Sequence, residues 1–156
     1  MKKVRLLNFL FLWLIAGILF SGCSDEEDPV PTLVGYWELR TIEIRNAQGD
    51  DNGLLNPAVF FATFGSGEDD EIEVPVISVQ LELEDNNEFV EYFNYLNGLT
   101  NASEGDWELS DDQTTLTLEY PSDDVEYEVT FDFNEMILTE ETNSGATIIY
   151  RYTKEY

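Results

Sequence analysis

The stretch Thr114-Thr115-Leu116-Thr117-Leu118-Glu119-Tyr120-Pro121-Ser122-Asp123-Asp124-Val125-Glu126-Tyr127-Glu128-Val129-Thr130-Phe131-Asp132 alternates apolar and polar residues on both sides of a turn. Leu116, Leu118 and Tyr120 share one side; Thr115, Thr117 and Glu119 share the other. After Pro121-Ser122-Asp123 the same two-residue period returns, with Val125, Tyr127, Val129 and Phe131 set against Glu126, Glu128, Thr130 and Asp132. Successive side chains of a strand point to opposite faces, so this pattern describes two antiparallel strands, each with one dry and one wet face.

The pattern extends outward in both directions. Val79, Leu81 and Leu83 alternate with Gln80, Glu82 and Glu84, and Ile148, Tyr150 and Tyr152 alternate with Ile149, Arg151 and Thr153. Turn-forming clusters separate the runs, at Asp85-Asn86-Asn87, Ser110-Asp111-Asp112, Asn134-Glu135 and Asn143-Ser144-Gly145. Strands are expected over 34–45, 74–84, 88–95, 104–109, 114–120, 125–132, 135–141 and 146–153. The fold class is all-β: an antiparallel up-and-down meander closing into a barrel of roughly eight strands, with a sandwich as the other solution. The segment 54–64 is apolar at Ala58, Val59, Phe60, Phe61 and Phe64. It fits either a strand or a short helix plugging one end of the barrel.

The first residues follow another logic. Lys2, Lys3 and Arg5 precede an apolar run, then Ser21 and Gly22, then Cys23, the one cysteine of the chain. A basic start, an apolar stretch and small residues form the layout of a secretory signal. The run is interrupted by Asn8 and falls short of the roughly 20 residues that span a bilayer. The expected organisation is a signal peptide over 1–22, Cys23 with an acidic tether over 23–32, and one barrel domain over 33–156.

Charge narrows the classes of function. The chain has 7 basic and 33 acidic residues, for a net charge of −26. Three of the basic residues precede Cys23, leaving Arg40, Arg45, Arg151 and Lys154 as the cations beyond it. No basic patch exists for a phosphate backbone, so nucleic acid is excluded as a partner. Aromatic residues spread along the chain argue for a packed core rather than a disordered polyanion.

Phe20-Ser21-Gly22-Cys23 resembles a lipobox, which implies acylation of Cys23 and a membrane partner through the lipid anchor. Ser24-Asp25-Glu26-Glu27-Asp28 resembles the acidic tether of surface-exported Bacteroidota lipoproteins, which implies an outer-membrane, cell-surface location, with a periplasm-facing anchor as the alternative. Gly35-Tyr36-Trp37 on the first strand and Arg151 on the last resemble the lipocalin kernel. That resemblance implies that Gly35 lets the chain turn in closely and that Trp37 closes the barrel floor beneath Arg151. The later string Gly105-Asp106-Trp107-Glu108-Leu109 is similar to one in lipocalin-like domains of Bacteroidota lipoproteins, and the likeness covers about 33–153.

The candidates for chemistry are few. The chain has no histidine, which removes histidine-dependent nucleophilic sites and the usual zinc sites. With 33 acids some carboxylate pair will always look suited to hydrolysis, so no enzyme is expected. No cofactor is expected either; Asp50, Asp51, Glu68, Asp69 and Asp70 are weak calcium candidates. Phe89, Phe93, Trp107, Tyr127, Phe131, Tyr150 and Tyr152 either line a cavity for a small apolar ligand or fill the barrel completely. The expectation is a monomeric, surface-anchored binding or interaction module. The alternative is a structural accessory subunit of an outer-membrane assembly with a filled barrel and a protein partner there.

Overall fold

The computed structural model describes residues 32–47, 52–64 and 74–156. Among the described residues nine strands and one helix follow one another: β1 (Gly35–Arg45), β2 (Gly53–Leu55), α1 (Pro57–Phe64), β3 (Val76–Leu83), β4 (Glu88–Tyr95), β5 (Thr100–Leu109), β6 (Thr115–Glu119), β7 (Asp124–Phe131), β8 (Glu135–Glu141) and β9 (Thr147–Glu155). The segments 1–31, 48–51 and 65–73 lie outside the described residues, and with them the Cys23 region and the calcium candidates Asp50, Asp51, Glu68, Asp69 and Asp70.

Every neighbouring pair from β3 to β9 is antiparallel, and β1 joins β3 on one side and β9 on the other. The expected meander therefore closes into a barrel of β1 and β3–β9, while β2 pairs only with the far half of β1, through Ile42↔Leu55 and Ile44↔Gly53. The register of β1 against β9 shifts between Leu39 and Thr41. This irregularity moves the inward series from Trp37 and Leu39 to Ile42 and Ile44, all four of which are buried.

The segment 54–64 holds both of its expected forms in succession. Leu54 and Leu55 belong to β2, and the helix begins at Pro57. Asn56 caps it, since the Val59 N–H donates to Asn56 Oδ1 at 2.8 Å and the Phe60 N–H to Asn56 O at 3.0 Å. Proline at the first helical position loses no hydrogen bond there. Strand β5 starts at Thr100, four residues earlier than the apolar pattern indicates.

One half of the barrel is solid. Trp37, Phe89, Leu81, Leu83, Leu116 and Met136 are essentially inaccessible at the end where β1 begins and β9 finishes, which forms the floor. The helix sits at the opposite end, the mouth, packed against β1 and β3. Its Phe61 ring meets Phe93 edge to face at 5.8 Å, and its Phe60 ring meets Tyr150 at 6.3 Å.

Candidate functional site: a cavity beneath the helix

The upper half of the barrel is not filled. A partly enclosed cavity of about 180 Å³ lies between the solid floor and the helix. Of the residues expected to line it, Phe93, Tyr127, Tyr150 and Tyr152 do so, joined by Leu39, Phe61, Glu91, Leu118, Tyr120 and Leu138. Phe89 lies below it, fully buried, with its ring 4.9 Å from that of Tyr120. Trp107 is a wall residue near the floor, where its Nε1–H donates to Glu84 O at 3.0 Å. Phe131 borders a separate shallow hollow with Thr130, Asp132, Glu135 and Ile137. The choice between a filled barrel and a hollow one resolves by height: filled at the floor, hollow near the mouth.

Glu91 is the side chain that composition hides. It faces inward between Phe89 and Phe93 on β4, and the Tyr120 hydroxyl donates to its Oε2 at 3.1 Å. Strand β5 runs between β4 and β6, so this bond must cross a strand. Two small residues make the crossing feasible, because Ser103 pairs with Glu91 and Gly105 pairs with Phe89. A Cβ on Gly105 would run into the Glu119 carbonyl and come within 2.9 Å of the Phe89 ring.

Glu91 is one of the residues that line the cavity. No hydrogen bond falls to Oε1, yet no side-chain oxygen among the described residues is both buried and unpartnered. Glu91 thus keeps some contact with solvent through the cavity while the protein surrounds it closely. Loss of hydration outweighs the stabilising Tyr120 bond and raises its carboxyl from the ordinary 4.5 to about 7. Burial, then the negative charge of Glu91, pushes the Tyr120 hydroxyl above the usual tyrosine range, so it remains a neutral donor. Tyr127 and Tyr150 are raised likewise, first by burial, with Glu91 and Glu140 contributing; Tyr150 donates to Glu140 Oε2 at 3.3 Å.

No cation of the described residues reaches Glu91. Arg40 pairs with Glu38 and Glu155, each at 2.8 Å, and Arg45 pairs with Glu43 at 2.7 Å. Arg151 lies on the outer face of β9, 3.6 Å from the same Glu43. Its expected place over Trp37 is therefore corrected: Lys154 holds it, with Nζ 5.0 Å from the centroid of the Trp37 ring. The reason is parity, since Tyr150, Tyr152 and Lys154 share the inward face of β9 and Arg151 falls between them. Lys154 also donates to Thr32 O at 3.0 Å, and the Trp37 Nε1–H donates to Leu33 O at 2.7 Å. Gly35, at φ +137°, permits this closure, because a Cβ there would lie 2.8 Å from Lys154 Cε.

These features define a class: a closed, eight-stranded, up-and-down antiparallel barrel with an interior cavity under a helix. Among solved structures, an uncharacterized protein from Bacteroides eggerthii shares the fold at a TM-score of 0.50 and 14% identity, over 80% of this chain and all of that one. A lipocalin-like protein from Bacteroides uniformis matches at a TM-score of 0.47 and 14% identity, over 76% of this chain and 96% of that one. Lobster apocrustacyanin A1 matches at 0.39 and 10% identity, over 78% of this chain and 60% of that one. The likeness at 14% identity speaks to fold alone, and the two lower scores carry no argument. No family model and no curated protein matches the sequence.

Proposed function

We propose that this protein is a lipid-anchored binding module that takes one small ligand, about the size of a single ring, inside the upper barrel. The observation that carries the reading is the cavity of about 180 Å³ under α1, walled mainly by aromatic and aliphatic side chains. An apolar void of about 150 Å³ is enough to hold benzene, whereas drug-sized ligands need roughly 300–1,000 Å³. A large lipid or pigment is therefore the wrong scale. The acylation signal at Cys23 supports attachment to a membrane, and the acidic tether after it supports outward display.

The test is a calorimetric titration of the full chain, held in a non-ionic detergent, with benzyl alcohol. One-to-one binding that is weakened by Leu138→Phe, which reduces the cavity, supports the reading. No binding of any single-ring probe overturns it.

A further inference from the structure

We propose that the cavity selects a small organic cation, an ammonium group carried on at most one ring, with the Glu91 carboxylate as counter-ion and the tyrosine rings as walls. This rests on the binding reading above and adds the chemical class of the ligand.

The first support is an imbalance of charge. Glu91 is enclosed by the barrel, and each of the four cations beyond Cys23 is engaged elsewhere. A carboxylate so closely surrounded by protein is ordinarily paired, and no cation among the described residues reaches this one. Tyr120 satisfies Oε2 and leaves Oε1 without a hydrogen bond on a side chain that lines the void, where an ammonium N–H would donate.

The walls supply the second support. Phe61, Phe93, Tyr120, Tyr127, Tyr150 and Tyr152 surround the same space, and aromatic faces attract cations within about 6 Å. Rings lining a void with one carboxylate at its side make a cage for a compact cation rather than for a fatty chain. Glu140 stands nearer the mouth on β8, one alternation beyond Leu138, and holds the Tyr150 hydroxyl. The net charge of −26 further concentrates cations around the domain.

Proton linkage follows from the groups that face Glu91. Tyr120 directly follows β6, Tyr127 comes from β7, and Tyr150 and Tyr152 come from β9. All four are raised away from ionisation, first by burial. Glu140 on β8 completes the set; Ser103, Leu39 and Phe61 from the other packed elements are neutral. Glu91 is then the group whose ionisation changes near neutrality, so cation affinity rises as pH goes from 5 to 8.

The experiment titrates the full chain in non-ionic detergent with benzylammonium and with benzyl alcohol, which share a ring and differ in charge. The expected result is at least tenfold tighter binding of benzylammonium at pH 8. That preference shrinks at pH 5 and disappears in Glu91→Gln, while benzyl alcohol still binds. Equal or tighter binding of benzyl alcohol at pH 8 overturns the cation proposal and leaves the cavity reading standing. A preference unchanged in Glu91→Gln overturns it as well. Failure of both probes overturns the cavity reading itself.

Discussion

Tyr120 donates its hydroxyl to Glu91 Oε2 at 3.1 Å across strand β5, in the space that Ser103 and Gly105 leave free. Two bulkier residues at those inward positions would separate the pair. The cavity, the unpaired carboxylate and the small residues of β5 are thus one arrangement.

Gly105→Ala is expected to destabilise the domain by about 1–3 kcal/mol, the usual range for forcing an extra carbon into a packed interior. The obstacle on one side is the Glu119 carbonyl, which is backbone and cannot rotate away. Urea unfolding compared with the wild type measures it; an unchanged midpoint would show that β5 and β6 separate freely.

Glu91→Gln should stabilise the protein at pH 8 and change little at pH 4. A carboxyl raised in the folded state to about 7 from 4.5 binds its proton more tightly folded than unfolded. Stability is then fully present below the unfolded value and falls as pH rises through the folded one. Glutamine does not titrate, so its advantage grows between pH 4.5 and 7 and levels off above, reaching on the order of 3 kcal/mol. The difference between variant and wild type, followed by urea unfolding across this range, isolates Glu91 from the repulsion among the other acids.

The route to these residues was partly visible in the chain. One-sided alternation marked most of the barrel because each strand has a core face and a water face. Strand β5 was harder, since Thr100-Asn101-Ala102-Ser103 carries no large apolar side chain, for the same reason that it leaves room above it. The segment 54–64 is too short for period to separate helix from strand, although Asn56-Pro57 is itself a helix-start signal. Glu91 was lost among 33 acids, on a strand whose Val90 and Tyr92 blur the alternation. Yet placing Phe89 and Phe93 inside obliges Glu91, two residues from each, to point the same way.

The same parity corrects the floor. Lys154→Met is expected to cost about 0.5–2 kcal/mol through loss of its contact with Trp37. Arg151→Met should change stability by no more than about 0.5 kcal/mol, because its exposed contact with Glu43 is shared with Arg45. Thermal melts of the two variants side by side make the comparison, and the reverse order would restore Arg151 to the kernel.

Anchoring is tested at Cys23. Wild-type protein made in a bacterium with a lipoprotein pathway is expected to incorporate labelled palmitate and sediment with membranes. Cys23→Ser should lose the label and the stable attachment that several acyl chains provide. Equal labelling of both proteins would show that Cys23 is not the acylated residue.

The most direct measurement is the titration of the Glu91 side-chain carboxyl by carbon-13 NMR, in the free protein and with benzylammonium present. The expected midpoint is about 7 in the free protein, moving downward when the ammonium occupies the cavity and favours the charged form. A midpoint at the ordinary glutamate value of 4.5, unmoved by benzylammonium, would contradict both the enclosed carboxylate and the cation site built on it.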